Sequence, residues 1–152
     1  MSKSHSPGMA AAPPHLVVLL SRGARQYRTA IRDRLHRSGF EDLPRSGSWL
    51  LAVLSRTSGT IGELAIQLGT TKQSLSRMSD AMVERGYLRR TSDRSDHRLV
   101  RLSLTARGRA AAACVLAAVK EVDRSIERRA DGAGVARAER ALRALFGKED
   151  PA

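Results

Sequence analysis

Residues 60–85 read TIGELAIQLGTTKQSLSRMSDAMVER, and this stretch decides the fold. Thr60 followed three residues later by Glu63 is a capping box, which predicts the start of a helix with a buried apolar stripe. Gly69 ends that helix, because glycine readily takes the left-handed conformation at a helix C-terminus. A second helix then starts at Thr71. We expect helices of about 8 and 14 residues joined by a short glycine turn, which is the helix-turn-helix motif.

The second helix, predicted over 71–85, has two unlike faces. Leu75, Met78 and Met82 share one face and are expected to pack inward. The outward face is polar and basic first and acidic later, with Lys72 at its flank: Gln73, Ser76, Arg77, Asp80 and Glu84. Glutamine bonds adenine bidentately and arginine bonds guanine, and the first turns of a recognition helix contact base edges. The face is therefore a candidate surface for reading the DNA major groove, and the alternative is an ordinary solvated face.

A β-hairpin is predicted directly after the helix pair. The strands are Tyr87–Ser92 and Arg98–Leu104, separated by a turn-rich tip over 93–97. A hairpin in this position is a wing, so the fold class is mainly α with a small β-hairpin wing. Arg94 and Arg98 are candidates for the minor groove, where a narrow groove attracts arginine. The alternative is an exposed hairpin with ordinary turn residues.

Long amphipathic helices flank this predicted DNA-binding domain. The expected divisions are a tail at 1–12, a helix at 13–37, the winged domain at 40–104, helices at 105–147 and a tail at 148–152. The winged domain is too small to cover the apolar stripes of the terminal helices, and leaving them wet costs about 25 cal/mol per Å². We therefore expect dimerisation helices and a homodimer with two recognition helices. The alternative is a monomer capped by its own helices.

Composition limits the remaining possibilities. The chain has 152 residues and a formal net charge of +12, which favours polyanionic partners. RNA is disfavoured because stacking aromatics form only 3% of the residues. The single cysteine, Cys114, excludes an intramolecular disulfide and fits a cytoplasmic location, and the longest uncharged apolar run is too short to cross a membrane. No phosphate-binding loop, catalytic pair or metal-ligand spacing is present, so no enzyme, cofactor or metal is expected.

Five motifs occur in an order that resembles the MarR (multiple antibiotic resistance regulator) family. The resemblance covers about Leu16 to Phe146, nearly the whole chain. Its most specific part is the motif set IGELA at 61–65, TKQSLSR at 71–77, ERGYLRR at 84–90, DRSDHR at 93–98 and LSLTARG at 102–108. Each motif alone is weak, and the ordered set is specific. The resemblance implies a homodimeric regulator of transcription that binds pseudo-palindromic double-stranded DNA.

The resemblance also assigns particular residues. It adds Ser74 to the major-groove set, matches Asp96 and Arg98 to the Asp-x-Arg of the wing, and makes Arg98 the minor-groove arginine. It implies a repressor released by a small, often phenolic, ligand bound between the dimer helices and the winged domain, for which Tyr27 and Trp49 are candidate contacts. The alternative is that both rings are core residues, which is the more common role of such side chains.

One feature departs from the peroxide-sensing branch of that family. The first helix lacks the reactive cysteine, and Cys114 lies in the long helix among apolar residues. We interpret Cys114 as a small buried hydrophobe rather than a sensor thiol. Two alternatives to a ligand-released repressor stay open at this stage: a winged-helix protein-interaction module, and a regulator without an effector pocket.

Overall fold

The order of helices and strands is that of a winged helix-turn-helix with helical extensions. The computed structural model describes residues 15–92, 100–130 and 133–146. In chain order these residues form α1 Leu16–Arg37, α2 Gly47–Leu54, β1 Gly59–Thr60, α3 Ile61–Gln67, α4 Lys72–Glu84, β2 Leu88–Ser92, β3 Val100–Leu104, α5 Ala106–Arg129 and α6 Gly134–Phe146. The predicted fold class is confirmed. The predicted tails at 1–12 and 148–152 and the predicted wing tip at 93–97 lie outside the described residues, as do residues 98 and 99 at the start of the second predicted strand.

The helix-turn-helix forms as its residues predict. The Thr60 hydroxyl accepts a hydrogen bond from the Glu63 amide at 3.3 Å, and the Glu63 carboxylate accepts one from the Thr60 amide at 2.8 Å. Gly69 has φ +62°, the left-handed conformation that ends α3 at little steric cost. The Thr71 hydroxyl then caps α4 by accepting a hydrogen bond from the Ser74 amide at 3.1 Å. These caps fix where each helix of the pair begins and ends.

The sheet has one strand more than the sequence predicts. Its order is β1-β3-β2, all antiparallel, with Gly59 opposite Leu102 and Leu88 opposite Leu104. The strand β1 has only two residues, which is too short to show the alternation by which strands are recognised. Arg101 on β3 secures this edge by donating to the carbonyl of Ser58 at 3.1 Å.

A helix before the helix-turn-helix is predicted to start around Pro44, because proline suits the first turn of a helix, but α2 starts later. Pro44 lies in a turn, where its carbonyl accepts a hydrogen bond from the Gly47 amide at 2.8 Å, and α2 begins at Gly47. A Cβ at Gly47 would lie 2.9 Å from the sulfur of Met82, so this turn brings the chain close against α4. Close packing on α4, rather than a proline start, sets the first residue of α2.

The core lies between the helix pair, the sheet and α5. Leu75 and Met82 of α4 are fully buried and Met78 is partly buried, which confirms the predicted inward face. Other fully buried side chains come from α2, α3, the residue before β2, the strand β3 and α5: Leu50, Leu51, Leu64, Tyr87, Leu102 and Val115. Because α5 shares this core, the long helix is packed directly against the winged domain.

The start of α5 is fixed on the backbone that follows α4. The Thr105 hydroxyl donates to the carbonyl of Gly86 at 2.6 Å and accepts from the Gly108 amide at 3.0 Å, and the Thr105 amide donates to the carbonyl of Tyr87 at 3.1 Å. A Cβ at Gly108 would overlap that Tyr87 carbonyl oxygen. The Leu-Thr-x-x-Gly motif at 104–108 therefore allows the start of α5 to pack closely against the backbone that follows α4.

Replacing Gly108 by alanine is expected to destabilise the protein by about 1–3 kcal/mol, since the added methyl meets backbone that cannot rotate away. Helix propensity alone predicts the opposite sign, a gain of about 1 kcal/mol. Gly62→Ala in α3 is the control, because its Cβ would make only ordinary contact, 3.4 Å from the flexible end of Lys72. Urea unfolding of both variants measures the difference. Equal or increased stability of Gly108→Ala would contradict the close approach.

Candidate nucleic-acid interface

The helix α4 presents the residues that the sequence assigns to base reading. Lys72, Gln73, Ser74 and Arg77 are exposed, and Ser76 is half-buried beside the fully buried Leu75. The inward packing of the opposite face holds these side chains on the outside. The structure therefore brings this predicted set together on the first two turns of one helix.

The long polar side chains of this surface make no polar contact with the part of the chain that the structure describes. Among the described residues, Lys72, Gln73 and Arg77 form no hydrogen bond or ion pair with one another or with a neighbour. The acidic side chain further along α4 differs, because Asp80 pairs with Arg90. Unpaired donors on the first turns of a helix are available for phosphates or base edges.

The base of the wing is attached to α4. Arg90 on β2 forms an ion pair and a hydrogen bond with Asp80, and Arg89 donates to the Ser103 hydroxyl across the β2–β3 pair at 3.0 Å. The Asp80–Arg90 pair links the predicted recognition helix to the wing. The predicted wing residues Arg94, Asp96 and Arg98 lie outside the described residues.

A cluster around Tyr87, which the sequence did not predict, joins three parts of the chain. The Tyr87 hydroxyl donates to Asp42 at 2.5 Å, and Arg107 donates to Asp42 at 2.8 Å and to the carbonyl of Arg85 at 2.6 Å. The Arg107 guanidinium lies 4.4 Å from the centre of the Tyr87 ring, and Phe40 packs on the same ring at 6.2 Å. We call Asp42, Tyr87 and Arg107 the hinge cluster, because it connects the α1–α2 turn, the end of α4 and the start of α5.

The hinge cluster has a defined electrostatic character. The hydrogen bond from Tyr87 lowers the pKa of Asp42, and the positive charge of Arg107 acts in the same direction. Burial raises the pKa of Tyr87 to about 12, and its hydrogen bond to Asp42 adds to that effect. At neutral pH the cluster therefore consists of the Asp42 carboxylate, which accepts hydrogen bonds from the neutral Tyr87 phenol and from the Arg107 guanidinium.

A cavity of about 380 Å³ lies between α1 and the segment before α2. Apolar side chains of Ile31, Leu35 and Phe40 line it together with arginines of α1. The predicted ligand contacts do not line this cavity. The Tyr27 hydroxyl instead donates to Asp123 on α5, and Trp49 is 42% exposed on α2.

The position of the single cysteine is compatible with its predicted role. Cys114 is partly buried on α5 and packs against the core, as a small hydrophobe would. Within the described ranges, no group of histidine, cysteine and acidic side chains is arranged to hold a metal ion. None of the helices in those ranges has the length and apolar character needed to cross a membrane.

The architecture and the exposed polar face of α4 define a winged helix-turn-helix protein. Residues 52–100 match the model of the MarR family, which confirms the predicted resemblance and supports a DNA-binding regulator. A comparison with curated protein sequences found no match.

Solved structures of regulators share the fold. The reduced form of MarR from E. coli has a TM-score of 0.69 at 22% identity, covering 89% of this chain and 98% of that one. The transcriptional regulator SlyA has a TM-score of 0.73 at 13% identity, covering 87% and 92%. NadR in complex with 4-hydroxyphenylacetate has a TM-score of 0.68 at 20% identity, covering 95% and 100%. At these identities the likeness establishes the fold.

Replacing Tyr87 by phenylalanine removes the hydroxyl that donates to Asp42, and this change is expected to raise the pKa of Asp42 toward its ordinary value. With that pKa depressed in the folded state, Asp42 contributes stability above the unfolded pKa, about 3.9, and loses it as pH falls through the folded pKa. In Tyr87→Phe, the free energy of unfolding should therefore decrease less as the pH is lowered. Carbon NMR titration of the Asp42 carboxyl, with unfolding followed at each pH, measures both effects. Tyr27→Phe is the control, and an Asp42 titration that Tyr87→Phe leaves unmoved would refute the assignment.

Proposed function

We propose that the chain is a homodimeric regulator of transcription that binds specific double-stranded DNA, represses its target and is released by a small-molecule effector. The observation that carries the proposal is the exposed, unpaired face of Lys72, Gln73 and Arg77 on α4. The helix that carries this face is held by contacts within the protein, which are the side-chain caps of α3 and α4 and the ion pair between Asp80 and Arg90. Side chains left free on a fixed helix fit a ligand better than they fit a structural role.

The chemistry of that face suits the major groove. We expect Gln73 to bond the N6 and N7 edge of adenine and Arg77 the O6 and N7 edge of guanine, while Lys72 and Ser74 suit phosphates. Arg98, which follows Arg94 and Asp96 in the sequence of the wing, is proposed to reach the minor groove. A net charge of +12 strengthens phosphate contacts, so binding should weaken steeply with added salt.

The homodimer is proposed from the apolar surface of the terminal helices. In the first turns of α1 the aliphatic side chains are left open to solvent: Leu16 is 51% exposed, Val17 67% and Leu19 49%. On α6, Leu145 is 64% exposed. A second copy of the chain would cover these residues and place two α4 helices about a twofold axis, as a pseudo-palindromic site requires.

The effector is proposed to occupy the cavity beside α1. Its volume of about 380 Å³ falls in the range of small-molecule sites, and its wall includes Phe40, which packs on Tyr87 of the hinge cluster. NadR, which shares the fold, was solved in complex with 4-hydroxyphenylacetate, an aromatic acid. A regulator that lacks an effector, and a winged helix that binds only protein, are the competing possibilities.

Arg77→Ala is expected to relax base preference at one position of the DNA site, at a cost of about 1–3 kcal/mol, because one base edge loses its bidentate partner. Arg98→Ala is expected to weaken all duplexes to a similar extent. Sequencing duplexes selected from a random pool by each variant separates the two effects. Arg124→Ala, which removes one exposed arginine from α5, is the charge-matched control.

The same protein is compared on duplex DNA, duplex RNA and single strands by gel shift. Preference for duplex DNA is the expected result. If Arg77→Ala and Arg98→Ala both behave like Arg124→Ala, the docking of α4 and the wing on DNA is wrong.

Val17→Asp is expected to weaken self-association by about tenfold or more, because dimer formation would then bury a charge in place of a valine side chain. Ile66→Asp is the matched control, since Ile66 on α3 is 65% exposed, against 67% for Val17, and lies outside the terminal helices. Sedimentation velocity over a range of concentrations measures both. A single subunit for the unmodified protein at micromolar concentration would refute the dimer.

A further inference from the structure

We propose that the cavity beside α1 takes a small dianion with an apolar body, a ligand class defined by the side chains that line it. This inference rests on the proposed function, which assigns an effector to the cavity without stating its charge. The cavity has two kinds of wall, one apolar and one cationic, and each restricts the ligand separately.

The apolar wall sets the body of the ligand. Ile31 and Leu35 of α1 are buried in the core, and Phe40 and Leu43 after α1 are half-buried against it. All four contribute to the lining of the cavity. A flat hydrocarbon ring would cover these side chains and leave its substituents directed at the rest of the lining.

The cationic wall sets the charge of the ligand. Four arginines line the cavity against one carboxylate: Arg25, Arg28, Arg32, Arg45 and Glu41. The carboxylate of Glu41 lies 3.8 Å from the His36 imidazole, and the Arg32 guanidinium lies 3.6 Å from Asp33. Among the described residues, Arg25, Arg28 and Arg45 form no hydrogen bond or ion pair. Three guanidinium groups at the cavity therefore have no ion-pair partner among the residues that the structure describes.

The arginines come from two segments of the chain, which favours two charges on the ligand. Arg28 belongs to α1, whereas Arg45 belongs to the turn before α2. A monoanion pairs with one segment and leaves the excess positive charge of the other uncompensated. A dianion can accept charge-assisted hydrogen bonds from both, and guanidinium groups pair bidentately with carboxylates.

The position of the cavity gives binding a path to the DNA-reading helix. The segment that carries Phe40 and Arg45 also carries Asp42 of the hinge cluster. Tyr87 and Arg107, the partners of Asp42, contact the last turn of α4. A ligand that draws Arg45 toward α1 acts on the segment that holds Asp42, and so shifts the end of α4.

Three probes that share one ring separate the effect of charge: benzyl alcohol, benzoate and benzene-1,3-dicarboxylate. Calorimetric titration into the full-length protein at pH 7 should give the tightest binding for the dicarboxylate, by about tenfold or more over benzoate, with an affinity that falls as salt is added. Benzyl alcohol should bind most weakly. The dicarboxylate should also release the protein from a DNA duplex selected in the absence of ligand.

Variants locate the binding. Arg28→Gln and Arg45→Gln should each reduce dicarboxylate affinity by about tenfold while benzoate affinity changes less, since one of two charge contacts is lost. Arg22→Gln, an exposed arginine of α1 that does not line the cavity, is the matched control. The dianion proposal is overturned if the dicarboxylate fails to bind or binds no tighter than benzoate. It is also overturned if Arg22→Gln reduces the affinity for the dicarboxylate as much as Arg28→Gln and Arg45→Gln do. Failure of the proposed function shows separately, as absence of duplex binding by the ligand-free protein.

Discussion

The contact between Gly108 and the Tyr87 carbonyl constrains the rest of the structure. A side chain at position 108 would overlap that carbonyl oxygen, so only glycine lets α5 start where it does. Thr105 then fixes the direction of α5 through hydrogen bonds to the backbone of Gly86 and Tyr87. Because α5 also packs along α1, one close approach sets the orientation of the helical extensions relative to α4.

The positive charge of the chain is divided between two uses. Arg90 pairs with Asp80 and joins β2 to the preceding helix α4. Arg101 donates to the carbonyl of Ser58 and Arg107 pairs with Asp42, and these two contacts join parts of the chain that are distant in sequence. Lys72 and Arg77 form no such contact within the described residues. Arginine suits the first use because its planar fork can satisfy two acceptors at once. The basic residues of this chain therefore have two roles: some form contacts that hold the domain together, and others stay available for a polyanionic partner.

Local signals made most of the fold predictable, and the absence of such signals explains what was missed. Thr60, Gly69 and Thr71 act through neighbours a few residues away, so their sequence context shows their roles. The strand β1 has two residues and pairs only with the distant β3, and Asp42 meets partners far along the chain, so neither has a local pattern. The surface of α4 was predictable because helical spacing alone separates Arg77 from Leu75, whereas the cavity depends on how α1 meets the turn before α2.

In the proposed regulator, the hinge cluster would connect a bound effector to the DNA-binding surface without contact between effector and DNA. Asp42 lies in the segment that borders the cavity, and its partners Tyr87 and Arg107 hold the end of α4 and the start of α5. A ligand can shift an equilibrium only as far as it binds one conformation better than another. The segment from Phe40 to Arg45 is where such a difference would arise, because it contributes to the cavity and to the hinge cluster at once. Coupling in this protein would then depend on the rigidity of the Tyr87 contacts more than on the chemistry of the recognition face.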